Sequence, residues 1–280
     1  MSSITEALRS AAARLAHGSE SARLDAEVLL GHVLGVGRSG LVAAGATPLS
    51  AGRQAAFDGL VARRLAGAPV AYLTGTREFW SLPLCVSPAV LVPRPETEML
   101  VELALERLAP RRPCTVLDLG TGSGAIALAI AGERPLAEVI GTDVSAAAIE
   151  VAAANANRLG LRNVHWRLGS WFDALPDGRF DVIVSNPPYV AAGDPALAAL
   201  CAEPALALTP GPSGLEAIAA IAAAAPRHLA AGGWILLEHG AAQGEAVAQL
   251  LVAHGFRHTR THPDYAGRPR VTLAASSSPP

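Results

Sequence analysis

Apolar positions follow two different rhythms along this chain. Over residues 1 to about 76 the rhythm is helical: Ile4, Leu8, Ala11, Ala12 and Leu15 recur at the three- and four-residue spacing that lines one helix face. Ser21 is placed to cap a second helix carrying Leu24 and Val28, and Ser50 a third carrying Phe57, Val61 and Leu65. Glycine-rich breaks at 35–40 and 45–48 separate these segments, so a small helical bundle is expected over 1–76. Residues 77–93 (REFWSLPLCVSPAVLVP) are aromatic, branched and punctuated by Pro83 and Pro88, which predicts a β-hairpin or extended linker.

From residue 94 to 280 short apolar runs alternate with helical patterns. Strands are expected at 115–119, 138–143, 163–168, 180–185 and 233–238, and helices at 97–108, 123–132, 145–159, 215–230 and 241–253. That alternation predicts an α/β fold with a mostly parallel sheet covered on both faces. Two further strands, 255–260 and 269–274, are joined too closely for a crossover helix and should form an antiparallel pair. The tail SSSPP is expected to be disordered.

Composition narrows the class. Apolar residues make up 51% of the 280, ample for a core, yet no uncharged run reaches the ~18 residues a membrane helix needs. Residues 1–17 carry Glu6, Arg9 and Arg14 within a helical pattern rather than a signal peptide, so a soluble, cytoplasmic protein is expected. The 22 basic residues, all arginine, nearly balance 24 acidic ones, which argues against nucleic acid as the main partner. Cys85, Cys114 and Cys201 are too few and too scattered for a disulfide framework or a zinc site, and no metal site is read.

Two motifs carry chemistry. Asp118 to Ala125 (DLGTGSGA) ends an apolar strand and opens a helix, with glycines that let a ligand approach the main chain. About twenty residues on, Asp143 ends the next strand, where a carboxylate can accept both hydroxyls of a ribose. Gly120, Gly122 and Ala125 satisfy the dinucleotide pattern, while Gly124 and Asp118 suit S-adenosylmethionine, so the loop alone leaves both cofactors open.

The second motif is Asn186-Pro187-Pro188-Tyr189, directly after the strand FDVIVS. In such sheets ligands bind beyond the carboxyl ends of the strands, which places the tetrapeptide beside the glycine loop. The prolines stiffen the backbone and remove two donors. The Asn186 side-chain oxygen and a proline carbonyl can then accept both hydrogens of one planar NH2 group, and Tyr189 offers a flat face. An amide or aryl-amine nitrogen is a poor nucleophile because its lone pair is delocalised. Two acceptors can aim that lone pair at the methyl sulfonium of S-adenosylmethionine, whereas hydride transfer has no use for them.

GTGSG, Asp143 and NPPY in this order resemble class I methyltransferases that modify planar NH2 nitrogens. The runs AYLTGxREFWSLPL and VLVPRPETE closely resemble bacterial protein glutamine N5-methyltransferases that act on peptide-chain release factors. The resemblance spans Gly67 to Leu273. It implies a helical substrate-binding domain over 1–76, a hairpin linker over 77–93 and an S-adenosylmethionine-dependent methyltransferase domain over 94–280. It implies methyl transfer to the glutamine of the Gly-Gly-Gln motif of class 1 release factors, with no membrane or direct nucleic-acid partner; a monomer is expected.

By the same resemblance, Gly120, Thr121, Gly122, Ser123 and Gly124 would wrap the methionine part of the cofactor and Asp143 would bind its ribose. Trp171 would lie against the adenine, and Asn186 would also border the cofactor. Asn186, Pro187, Pro188 and Tyr189 would hold the glutamine amide, with Asn186, Pro187 and Tyr189 the catalytic set. Two positions depart from the family pattern: Ser170 replaces an acidic residue before the tryptophan, and the segment before Glu203-Pro204 is shortened. The run Arg94 to Glu98 is read as a helix start, with Pro95 and two acids in its first turn. Adenine-N6 methylation of nucleic acid is the alternative activity, since an extruded adenine offers the same NH2 geometry. A cofactor-binding scaffold without catalysis is a third reading.

Overall fold

The computed structural model describes residues 2–175 and 178–277, so Ser278–Pro280 of the tail lie outside the described residues. The chain divides into two compact units, Met1–Thr76 and Arg77–Pro280. The first contains helices α1 (Ile4–Leu15), α2 (Ala22–Leu34), α3 (Arg38–Ala43), α4 (Ala51–Leu65) and α5 (Val70–Thr74). A reciprocal cap starts α1: the Ser3 hydroxyl accepts from Glu6 N–H and the Glu6 carboxylate accepts from Ser3 N–H at 2.8 Å. Ile4, Leu8, Leu15, Leu29, Leu30, Leu41, Phe57 and Val61 are buried together.

Four expectations for this unit fail. Leu24 and Val28 are exposed at 43% and 36%, and α2 instead turns Asp25 and Leu29 inward. The inward face tolerates Asp25 because Arg64 Nε donates to its carboxylate at 2.8 Å, as do the hydroxyls of Ser19 and Ser21. Ser21 is thus spent on Asp25 and makes no side-chain cap. Leu65, in the last turn of α4, is also exposed. The break at 35–40 is shorter than expected: Gly35 ends α2 with a left-handed φ of 68°, and α3 begins at Arg38, anchored by buried Leu41.

The second unit opens with a hairpin, β1 (Thr76–Phe79) and β2 (Leu82–Cys85), which selects the hairpin alternative for 77–93. Its two turn residues, Trp80 and Ser81, both have positive φ, as a tight hairpin turn demands. Glu98 accepts from Trp80 N–H at 2.8 Å and Glu133 from its indole N–H at 3.0 Å, which holds a bulky residue where glycine would be easier.

There follow α6 (Glu98–Arg107), β3 (Cys114–Leu119), α7 (Ala125–Glu133), β4 (Ala137–Asp143), α8 (Ala146–Leu159), β5 (Val164–Leu168), β6 (Phe180–Ser185) and α9 (Ala196–Ala199). The unit closes with α10 (Glu216–Ala224), β7 (Leu229–Glu238), α11 (Gly244–Ala253), β8 (Arg257–Pro263) and β9 (Pro269–Ala275). The seven-stranded sheet has the order β5-β4-β3-β6-β7-β9-β8, parallel through β7, with β9 antiparallel to both neighbours. The helix expected over 215–230 stops at Ala224, because Pro226 forces a 3₁₀ turn, and β7 starts four residues earlier than 233.

Strand order reverses between β3 and β6, which opens a crevice at their carboxyl ends. On the β4 side, Gly141 pairs with Trp166 in the β4–β5 register. A Cβ on Gly141 would lie 2.5 Å from the Trp166 ring, and one on Gly124 3.0 Å from the same ring. Gly141→Ala should therefore lower stability by about 1–3 kcal/mol. Urea unfolding followed by tryptophan fluorescence checks it, since Trp80, Trp166, Trp171 and Trp234 all lie in the second unit. An unchanged midpoint would mean that the ring moves aside freely.

Candidate active site

The loop after β3 holds Gly120, Gly122 and Gly124 at φ of 71°, 55° and 80°, all left-handed. Gly120 and Thr121 N–H groups both donate to the Thr142 carbonyl at 2.9 Å, which locks the loop to the end of β4. Gly122 N–H and Ser145 N–H donate at 2.9 Å to opposite oxygens of Asp143. That carboxylate is therefore fixed by two backbone donors while keeping lone pairs for vicinal hydroxyls.

Beneath the loop, Asp118 is fully buried and accepts from the Thr121 hydroxyl at 2.6 Å, while its Oδ1 has no hydrogen-bond partner among the described residues. Burial pushes its pKa up to about 7. The folded unit thus holds the proton more tightly than the unfolded chain. This contribution to stability is complete below the usual carboxylate range and is lost as pH rises through about 7. Asp118→Asn should show a smaller fall in urea midpoint between pH 5 and pH 8 than the unaltered chain. A fall of the same size would place that pH dependence elsewhere.

On the other side of the crevice, the Ser185 hydroxyl at the end of β6 donates to the Leu119 carbonyl at 2.7 Å and ties the two strand ends together. Asn186 follows, and its Nδ2 donates to the Thr97 hydroxyl at 3.1 Å. Its Oδ1 accepts no hydrogen bond from the described residues. The Tyr189 hydroxyl donates to Glu238 Oε1 at 3.3 Å, and its carbonyl accepts from Gln243 at 3.0 Å. Burial, then the charge of Glu238, raises the tyrosine pKa above its ordinary value. Glu238 itself is buried at the end of β7 and is pushed up to about 7, chiefly by desolvation.

Between the two motifs lies a cavity of about 520 Å³, within the ~300–1,000 Å³ range of small-molecule sites. Gly120, Thr121, Gly122, Ser123, Asp143, Trp171, Asn186 and Pro188 line it. Gly124, Pro187 and Tyr189 do not: Gly124 is packed against Trp166, Leu128 and Ala152, and Tyr189 packs within the core beside β7. Trp171 sits at a positive φ of 46°, and its carbonyl accepts from the Thr142 hydroxyl at 3.1 Å. Ser170, at the position where the family pattern is acidic, also borders the cavity.

Three further contributors stand outside the sequence-derived set. Thr97 lines the cavity and lies within Arg94 to Glu98, the stretch of VLVPRPETE read as a helix start. Glu238 ends an otherwise apolar strand next to the one that carries NPPY, and that charge in a buried place was a usable signal. Glu203 is 7% exposed, pairs with Arg94 and accepts from Val92 N–H at 3.0 Å. It pins the segment after NPPY, so that Pro204, Leu206, Ala207 and Thr209 close one wall. No cluster of metal-binding side chains occurs among the described residues, nor any helix long and apolar enough to cross a membrane.

Residues 6–75 match the PrmC N-terminal domain and residues 111–252 a methyltransferase domain. The release factor glutamine methyltransferase of Xylella fastidiosa (strain Temecula1) is 52% identical over 253 residues, covering 90% of this chain and 92% of the relative. That of Escherichia coli (strain K12) is 49% identical over 268 residues, covering 95% and 96%. A methyltransferase structure from Pyrococcus furiosus shares the fold, with a TM-score of 0.54 at 21% identity over 78% of this chain and 97% of that one. With about half of all positions identical over nearly the full length of both relatives, the chain belongs to the release factor glutamine methyltransferase family.

Proposed function

We propose that the protein transfers a methyl group from S-adenosylmethionine to the side-chain amide nitrogen of the glutamine in the Gly-Gly-Gln motif of a class 1 peptide-chain release factor, in the cytoplasm. The carrying observation is Asn186: it stands on the cavity wall with its NH2 end held by Thr97, which leaves its oxygen as an acceptor across from the glycine loop. Family membership supports the same reading.

The residues present suit that cofactor. Left-handed glycines expose main chain to the cavity, the fixed Asp143 carboxylate suits two ribose hydroxyls, and Trp171 supplies a flat apolar wall. S-adenosylmethionine, when bound, supplies a methyl carbon made electrophilic by a positively charged sulfur. Asn186 Oδ1 and a proline carbonyl of the motif accept the two hydrogens of the glutamine amide and so turn its lone pair toward that carbon. Transfer would form the carbon–nitrogen bond as the carbon–sulfur bond breaks, leaving a neutral thioether, and the proton shed by the nitrogen would pass to solvent. Acceptors already in place stabilise the positive charge that develops on it without reorganising.

Incubation with a tritiated methyl donor and a release factor should label the wild-type factor and spare one whose Gly-Gly-Gln glutamine is replaced. Equal labelling of both would overturn the assignment, and transfer to naked DNA exceeding transfer to protein would favour adenine instead. Residues 1–76 are assigned the gripping of the protein substrate. Their deletion should raise KM for intact release factor more than for a short Gly-Gly-Gln peptide; a similar rise for both would remove that role.

A further inference from the structure

Asn155, on α8, has no part in the transfer chemistry, yet it is 1% exposed and its carboxamide is engaged entirely outside its own helix. Its oxygen accepts from Cys85 N–H at 2.7 Å. Its Nδ2 donates to the Cys85 carbonyl at 3.0 Å and to the Ser123 carbonyl at 2.9 Å. Cys85 ends β2, and the chain that leaves it supplies Ala89, Val90 and Leu91 to the cavity wall. Ser123 belongs to the glycine loop and lines the same cavity. One carboxamide therefore fastens two stretches of that wall together, across 70 and 32 residues of sequence.

A carboxamide has one acceptor oxygen and two N–H donors, and these three partners use both kinds. Reversing it would set its NH2 against the Cys85 N–H and its oxygen against two carbonyls, so the partners fix its orientation. An ionised aspartate offers those carbonyls no donor, and leucine offers neither donor nor acceptor. The rest of α8 is fitted to the same two neighbours. Ala152, three residues earlier, would lie 3.2 Å from a Cβ on Gly124, and Arg158, three residues later, donates to the Cys85 sulfur at 2.8 Å. At the start of the helix, Ser145 N–H holds Asp143 at 2.9 Å.

We infer that Asn155 is a positioning residue for the methyl-donor site, holding the glycine loop in its binding shape before the donor arrives. The inference rests on the S-adenosylmethionine reading above and adds to it the group that keeps the loop ready. The peptide between Ser123 and Gly124 is pinned on both sides: its carbonyl accepts from Asn155, and its N–H donates to the Thr121 carbonyl at 2.8 Å. That plane leads into Gly124 at its left-handed φ of 80°. Without the Asn155 bond, the ligand itself must order the loop, and affinity falls by the cost of that ordering.

The test compares Asn155→Ala with Asn163→Ala in the full chain. Asn163 is a matched control: its Nδ2 donates to the carbonyls of Ala131, Arg134 and Ala137 at 3.2, 3.3 and 3.0 Å. Those groups lie towards the amino end of β4, and none borders the cavity. Both variants should lower the urea midpoint. Asn155→Ala alone should bind the demethylated cofactor about 10-fold more weakly in calorimetry and raise KM for the methyl donor to match. Its kcat and its KM for the release factor should stay within about twofold. Hydrogen exchange over residues 120–124, recorded without donor, should quicken in Asn155→Ala and not in Asn163→Ala. Asn155→Ser, a gentler change, should give the same pattern and serves if Asn155→Ala does not fold. Unchanged donor affinity in the Asn155 variants, or an equal loss in Asn163→Ala, would overturn the inference. Unchanged exchange would overturn it whatever the donor proves to be. Quickened exchange in a protein whose unaltered form ignores the demethylated cofactor would fault the donor reading and leave the tether standing.

Discussion

Asn186→Ala is expected to bind the methyl donor as tightly as the unaltered chain and to transfer methyl groups about 10²- to 10³-fold more slowly. The donor contacts proposed above are spread over the glycine loop, Asp143 and Trp171, whose hydrogen bonds do not involve the Asn186 side chain. The amide oxygen, by contrast, accepts no hydrogen bond from the described residues. Its loss removes half of the cradle that aims the glutamine nitrogen, an interaction strongest where positive charge develops. Calorimetry with the demethylated cofactor and single-turnover transfer rates separate the two effects. Parallel losses in affinity and rate would instead make Asn186 part of the donor site.

The second large effect concerns stability. Arg94→Met leaves the Glu203 carboxylate, whose side chain is 3% exposed, without its cation. Removing one partner of a buried pair costs more than the pair contributes, because the remaining charge is desolvated without compensation; about 3 kcal/mol is expected here. The loss should appear in urea unfolding monitored by tryptophan fluorescence. Donor affinity should weaken as well, because Glu203 holds the segment that carries Pro204, Leu206 and Ala207 to the cavity wall. Replacing both residues with Met should recover part of the stability, since no lone charge is then left inside. A double variant no better than Arg94→Met would locate the loss in the Val92 N–H that Glu203 also satisfies.

The fold's outline could be read from the chain because its strongest signals are local. Strand-to-helix alternation from residue 94 onward, the glycine run and the short link between the last two strands each depend on neighbours in sequence. Errors arose where a partner lies far away. Leu24 and Val28 fit an amphipathic face as well as Asp25 and Leu29 do. Arg64, thirty-nine residues on, joins the Ser19 and Ser21 hydroxyls in making the acidic face the inner one. Thr97 carries no local mark of a role, because its partner Asn186 is 89 residues distant. Tyr189 looked like a stacking platform, but the sequence cannot show that Glu238, on an adjacent strand, draws its hydroxyl away from the cavity. The end of α10 is marked locally, since Pro226 interrupts the helix just before β7 begins at Leu229.

The position of β9 bears on how this unit comes into being during synthesis. β9 lies between β7 and β8, although β8 precedes it in the chain. Until residues 269–275 have left the ribosome, β8 has no partner and the outer edge of β7, which ends in Glu238, stays unpaired. A growing chain can assemble its parallel strands before β9 is made, but the scaffold beneath Tyr189 closes only once β9 has emerged. A nascent polypeptide halted before Pro269 would thus display an open, apolar strand edge, a natural handle for chaperones or proteases.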